Sequence, residues 1–281
     1  MRSLKRSLKA YWELLRLEHG IMYGIGVLIG IFLGGRASLE IIVLSFLTAL
    51  FLEASAFAMN DYLDYEVDVA NKRLDRPLVR GDISRKTVLI LSAIFFPLGL
   101  ITAFLISVEA LIFVLVVTAL AFLYNAKLKE LGLIGNAYVA FTMAAPFIFG
   151  GIIAEFSYSV LLLSLIAFLT GLGREIMKGI EDVEGDTLRN VRSIARVYGI
   201  DTASRASSLF FLLAVFLSFF PPVLVPEYYD LKYAIPVAIT DIMLISVAVR
   251  LPRNKNQISK YRKETLIAAL FGLIGFLAGA F

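Results

Sequence analysis

Runs of about 20 mostly apolar residues recur along this chain, and each is the length a helix needs to cross ~30 Å of hydrocarbon. Nine can be drawn, at 17–35, 41–59, 86–106, 109–126, 131–154, 157–178, 205–226, 232–251 and 264–281. Backbone groups in lipid must be satisfied within the segment, which a helix does. The reading is an all-α, polytopic membrane protein. Composition agrees: 59% of the 281 residues are apolar and 18% charged, against about a half and a quarter in soluble domains. Both disorder and a water-soluble enzyme are poor fits. No linker divides the chain, so 1–281 is treated as a single membrane-embedded domain.

Some chemistry is excluded at once. There are no cysteines and one histidine, which removes thiolate nucleophiles, disulfides, iron–sulfur clusters and histidine-cluster metal sites. Any metal must be held by oxygen ligands. A net charge of +4 is too mild to suggest nucleic acid as a partner.

The placement of charge says more than its sum. With nine spans, one side of the membrane holds the N-terminus and the connections after spans two, four, six and eight. That side carries 25 of the 27 bases, and the other has only Arg36 and Lys232. By the positive-inside rule the N-terminus is expected in the cytoplasm and the C-terminus outside a multi-pass cell-membrane protein. Residues 1–16 are read as an interfacial helix with Leu4, Leu8, Tyr11 and Leu15 on one face and Arg2, Lys5, Arg6 and Lys9 on others. They do not read as a cleavable signal, because the following apolar run is too long. The glycines of the first span, Gly20, Gly24, Gly26, Gly30 and Gly34, read as a helix-packing face.

Two acidic clusters stand on the basic side. After the second span come Asn60, Asp61, Asp64, Glu66 and Asp68. At about 100° per residue Asn60, Asp64 and Asp68 fall at about 0°, 40° and 80°, with Asp61 at about 100°. If the helix continues to about residue 70, the cluster sits at its cytoplasmic end. After the sixth span come Lys178, Glu181, Asp182, Glu184, Asp186 and Arg189, with Asp182 and Asp186 one helical turn apart. Carboxylates on one arc repel, and no base follows the first cluster until Lys72. Hard divalent cations suit this pattern. Magnesium takes carboxylate and carbonyl oxygens and keeps room for substrate phosphates, so two such clusters could clamp one diphosphate through metal ions. Arg73, Arg76, Arg80, Arg85, Lys127, Lys129, Arg189 and Arg192 lie on the same side and could bind phosphate oxygens.

At these residues the chain resembles the UbiA-type intramembrane prenyltransferase family. Asn60, Asp61, Asp64 and Asp68 match its N-D-x-x-D-x-x-x-D signature, and Asp182 and Asp186 its D-x-x-x-D signature. Arg76-Pro77-Leu78 is similar to its R-P-L/I segment. Tyr124, Leu128-Lys129 and Gly135-Asn136 are similar to its Y-x-x-x-L-K and G-N pattern. Arg174-Glu175-Ile176 running into Glu181 to Asp186 is similar to the archaeal subgroup that adds the second isoprenoid chain of ether lipids. The resemblance spans essentially the whole chain. It implies nine transmembrane helices in a ring around a lipid-open cavity, with segments 60–85 and 179–204 as a cytoplasmic cap.

The activity so implied is transfer of a prenyl group from its diphosphate to a membrane-soluble acceptor, with magnesium as cofactor. The expected metal ligands are Asn60, Asp61, Asp64, Asp68, Asp182 and Asp186, and of these Asp64, Asp68, Asp182 and Asp186 are the expected catalytic residues. Arg16, Arg76, Lys129, Lys178, Arg189 and Arg192 are the expected phosphate and diphosphate binders. Metals and bases would stabilise charge on the leaving diphosphate, while the tail sits away from water. The acceptor in view is geranylgeranylglyceryl phosphate, whose phosphate would meet Arg16 with His19, or Arg189 with Arg192. The alternative is an aromatic acceptor such as 4-hydroxybenzoate or a quinone precursor. A transporter is the remote rival: Glu53 and Asp241 lie inside spans, where ionisable groups are costly and functional by default, and spans one to four and five to eight resemble two repeats. The acid and base residues, however, gather at one membrane face.

Overall fold

The computed structural model describes residues 2–70, 72–183 and 191–279, except for the side chains of residues 2–6 and 129. Every regular element among them is helical, and apart from three single turns of 3-10 helix all are α-helices. In chain order they are α1 (Arg2–Leu15), α2 (Leu17–Gly34), α3 (Leu39–Leu63), α4 (Tyr65–Ala70), α5 (Arg85–Ile106), α6 (Val108–Ala126), α7 (Leu133–Ile153), α8 (Tyr158–Glu181), α9 (Ile194–Tyr198), α10 (Ile200–Leu217), α11 (Pro221–Leu224), α12 (Leu231–Arg250) and α13 (Ile258–Gly279).

Among the described residues, eight stretches are long and apolar enough to cross a membrane: α2, α3, α5, α6, α7, α8, α10 with α11, and α12. The sequence makes 264–281 a ninth span. The corresponding helix α13 is as long as the others. It falls short of the same measure because Lys260, Arg262, Lys263 and Glu264 fill its first turns.

Serine sets many of the helix starts. Ser38, Ser84, Ser107 and Ser157 each accept a hydrogen bond from the backbone N–H three residues on, as Asp230 does two residues on. Each such cap satisfies a donor the helix leaves unpaired and contributes about 1 kcal/mol. Hydroxyls also join helices within the apolar layer. Thr48 bonds Thr102 at 2.8 Å, and Ser55 and Ser92 meet at 3.0 Å, fastening α3 to α5. In lipid, where apolar contact alone gives little drive for helices to pair, such bonds and close backbone approach do the holding.

Close approach is clearest between α2 and α7. A Cβ at Gly30 would stand 2.4 Å from the Phe147 carbonyl oxygen, and one at Gly150 would stand 2.3 Å from that of Val27. Only glycine permits this contact.

The helices divide into two groups. Helices α2, α3, α5, α6 and α7 close a ring by successive contact, and α8, α10, α12 and α13 close a second. The second group is filled with large side chains, among them Ile176, Met177, Phe211, Leu244 and Tyr261. The first is hollow. The cavity it encloses is about 500 Å³ and is lined by residues of those five helices alone. All nine long helices also touch in succession, α7 meeting α8 and α13 returning to α2; within that larger ring the cavity lies among the first five, and the side chains of the last four fill the space between them. Helix α6 is the least buried wall of the ring, with Ala110 and Val114 its only buried residues.

Helix α1 meets α2 at Arg16, which adopts the left-handed conformation (φ 44°). Ala10, Leu14 and Leu15 of α1 pack on Ala54, Ala58, Leu78 and Ile83. Of the face read from the sequence, Leu8 and Tyr11 point outward beside Trp12, and Leu15 turns inward.

Candidate active site

The first acidic cluster does not lie on one unbroken helix. Helix α3 ends at Leu63, Asp64 forms a turn, and α4 begins at Tyr65. Backbone bonds from Asp64 N to Asn60 O (2.9 Å) and from Asp68 N to Asp64 O (2.8 Å) still carry the chain through the turn. The turn leaves the carboxylates in different surroundings, although Asp61 and Asp68 both stand beside Arg76. Asp61 is 2% exposed, Asp64 is exposed and Asp68 is buried.

Burial of Asp61 is compensated from two distant places. Arg16 Nη2 donates to Asp61 Oδ1 at 3.1 Å, and Arg76 Nη1 donates to the same oxygen. Arg76 Nε also stands 3.9 Å from Asp68 Oδ2. The sequence reading finds no base within the first cluster and assigns Arg16 and Arg76 to phosphate rather than to its acids. The fold supplies two, because α1 and the loop after α4 both return to the end of α3. Arg16 further stacks on Phe57, its guanidinium 4.3 Å from the ring centroid, and His19 meets the same ring edge-on.

The loop 72–84 carries its own pairs. Arg73 makes a two-pronged contact with Asp75, with bonds of 2.9 and 2.8 Å. That guanidinium holds the Asp75 carboxyl below the usual carboxylate range, and Asp75 in turn raises Arg73. Arg80 binds Asp82 at 2.7 Å and also reaches Glu13 of α1. Bonds to both acids push Arg80 further up. Arg85 pairs with Glu66 at 3.0 Å and lies over Tyr65.

The second cluster begins where α8 ends. Asp182 caps the helix through its N–H to the Lys178 carbonyl, at 3.1 Å, and both side chains are exposed. Glu181 points elsewhere, to Ser259 and, at 2.8 Å, to Arg262 of α13. Glu184, Asp186 and Arg189 lie outside the described residues. So does the side chain of Lys129; its backbone is in a short turn, Leu128–Glu130, after α6. Arg192 is exposed, and its N–H donates to the Glu130 carbonyl at 3.0 Å. Gly132 makes that approach possible: its φ is 57°, and a Cβ there would stand 1.9 Å from the Arg192 carbonyl oxygen.

Between the clusters lie Asn125, which spacing did not reveal, and Tyr124 of the Y-x-x-x-L-K pattern. Asn125 donates to the Asn60 side-chain oxygen at 3.2 Å, closing α6 onto α3 at the cavity mouth. Tyr124, stacked on Tyr138 at 4.8 Å, is within electrostatic reach of both Asp64 and Glu175 of α8. It joins the first cluster to the helix that carries the second. Asn60, Tyr124 and Asn125 line the cavity, with Val27, Val114 and Phe149 at greater depth.

Among the described residues no three carboxylates converge on a common point. Magnesium needs no such cage, because it typically takes one or two carboxylates together with substrate phosphates and water. The donors present are hard oxygens: Asn60, the exposed Asp64 and Asp182, and Asp68. They fit that ion.

Fold and site together define an all-helical membrane protein with an apolar intramembrane cavity whose mouth is ringed by carboxylates and guanidinium groups. Comparison with known proteins makes the class specific. Residues 23–279 match the model of the UbiA prenyltransferase family, and the chain belongs to that family. It is 57% identical to a digeranylgeranylglyceryl phosphate synthase of Archaeoglobus fulgidus, covering 100% of this chain and 98% of the relative. A solved structure described as concerning digeranylgeranylglyceryl phosphate synthase in membranes superposes with TM-score 0.82 at 33% identity, covering 98% of each chain. A UbiA homologue from Archaeoglobus fulgidus solved with DMAPP and Mg²⁺ shares the fold, with TM-score 0.67 at 20% identity over 95% of this chain and 97% of the other.

Proposed function

We propose that this prenyltransferase moves a geranylgeranyl group from its diphosphate to geranylgeranylglyceryl phosphate, with magnesium, in the making of archaeal ether lipids. The observation that carries the reading is the siting of an apolar cavity directly beneath Asn60 and Asn125. A diphosphate held at the mouth would send its hydrocarbon tail into that cavity. The whole-length likeness to the Archaeoglobus relative supports the choice of acceptor.

In this reading Asn60, Asp64, Asp68, Asp182 and Asp186 hold the metal. Bound magnesium supplies positive charge to the leaving diphosphate. Asp61 keeps Arg16 and Arg76 at the edge of the site, and Lys129, Lys178, Arg189 and Arg192 bind phosphate oxygens. The cavity walls exclude water from the allylic carbon, which a hydroxide or water would otherwise quench. Along α3 the lining runs from Asn60 to Thr48, roughly 18 Å at 1.5 Å per residue. We place the site at the cytoplasmic face with α13 as a ninth crossing, on the bias of 25 bases to 2.

Purified protein in lipid nanodiscs, given magnesium and geranylgeranyl diphosphate, should release diphosphate only when geranylgeranylglyceryl phosphate is added. Release with 4-hydroxybenzoate and none with the glycerophosphate lipid would overturn the choice of acceptor.

A further inference from the structure

Glu53 lines the cavity two turns of α3 below Asn60, roughly 10 Å deeper at 1.5 Å per residue. It makes no hydrogen bond or ion pair with another described side chain. Among the described residues, the charged and titratable groups within electrostatic reach of it are Arg16 from the α1–α2 junction, Tyr23 of α2 and Tyr138 of α7. The Tyr23 hydroxyl is directed at Thr142 Oγ1, 3.5 Å away. A carboxyl group in such a wall is costly unless a polar partner arrives. The tail of a prenyl diphosphate is hydrocarbon and offers none. The acceptor's reacting hydroxyl must come to the allylic carbon below the diphosphate, and it does offer one. The other carboxylates of the site are placed differently: Asp61 and Asp68 face Arg76, and Asp64 is at the exposed turn.

Resting on the prenyl-transfer reading above, we propose that the Glu53 carboxylate is the base that takes the hydroxyl proton of the acceptor as the ether forms. The acceptor oxygen forms a bond to the allylic C1. The C1–O bond to the diphosphate breaks, and its electron pair leaves with the diphosphate. The hydroxyl proton goes to Glu53, which becomes the neutral acid, the form a cavity of this kind tolerates best. It returns the proton to water when the product leaves.

The test compares wild type with Glu53→Gln in lipid nanodiscs, using geranylgeranyl diphosphate, geranylgeranylglyceryl phosphate and magnesium. Loss of a general base lowers kcat by about 100-fold or more. Magnesium-dependent affinity for a non-reacting geranylgeranyl thiolodiphosphate should stay within about twofold, which also reports that the variant folds. Wild-type kcat should fall at low pH as the base is protonated, and Glu53→Gln should lack that acid limb. A variant that keeps more than about a third of wild-type kcat, retains the acid limb, or loses donor affinity in proportion to kcat would overturn the role of Glu53. Failure of the wild type to transfer to this acceptor would instead overturn the functional reading, and the Glu53 proposal with it.

Discussion

Arg16 and Asp61, 45 residues apart, meet at 3.1 Å where α1 turns into α2 and α3 reaches its charged end. Arg76 closes on the same carboxylate oxygen from the loop after α4. One acid thus fixes three segments of chain around the cavity mouth. Arg16 itself adopts a left-handed backbone conformation that a non-glycine residue seldom takes.

Replacing Asp61 with alanine should therefore act on stability as well as turnover. Two largely buried guanidinium groups would lose their shared partner, a change that costs about 3 kcal/mol or more. The expected outcome is a lowered apparent Tm in detergent and near-complete loss of prenyl transfer. Arg16→Ala should cost less stability, because Arg76 still neutralises Asp61. Equal losses in the two variants would refute the shared-partner account.

Asp64→Ala and Asp182→Ala should separate chemistry from folding. Both side chains are exposed and make no bond to another described side chain, so stability should change by less than about 0.5 kcal/mol. Turnover should fall at least 100-fold, as it should when EDTA strips magnesium from the wild type, with recovery on adding Mg²⁺ back. Full activity in either variant, at unchanged Tm, would remove that residue from the metal site.

Gly30→Ala tests the contact of α2 with α7. The new methyl group would meet the Phe147 carbonyl at 2.4 Å, and forcing the helices apart should cost about 1–3 kcal/mol. Gly272→Ala is the control. Its Cβ would meet nothing closer than Thr240, at 3.5 Å, and the better helix former should leave stability unchanged or raise it by about 0.5 kcal/mol. Thermal unfolding of the two variants side by side decides the matter.

Val117→Phe would narrow the cavity from its least buried wall, α6. The donor preference should shift toward shorter tails: kcat/KM for geranylgeranyl diphosphate relative to geranyl diphosphate should drop about 10-fold, the change one or two lost methylene contacts produce in a hydrophobic pocket. An unchanged ratio would mean that the tail does not pass Val117.

Much of the site was legible because its residues are close in sequence. Asn60, Asp61, Asp64 and Asp68 stand within two and a half turns, and helical periodicity relates them without knowledge of the rest of the chain. Periodicity does not foresee the turn at Asp64, nor that Asp61 faces inward to two guanidinium groups while Asp64 faces outward. Asn125 escaped notice because one amide in an apolar run carries no signal until its partner, Asn60, is known. Glu53 was visible as an anomaly in a span, but whether it faced lipid, a neighbouring helix or a cavity could not be read from its position.

Hydrophobic run length and the lopsided placement of lysine and arginine determined from the sequence alone that this is a helical membrane protein with its charged chemistry at one face. Those properties depend on transfer from water to lipid, which each segment undergoes largely by itself. Tertiary structure decided which helices surround space and which fill it, and which bases meet which acids. Arg16 reaches Asp61 across 45 residues, and the cavity exists because five helices close on one another while the remaining four pack side chains into their own centre. Such outcomes depend on distances between segments, and local sequence pattern holds no measure of those.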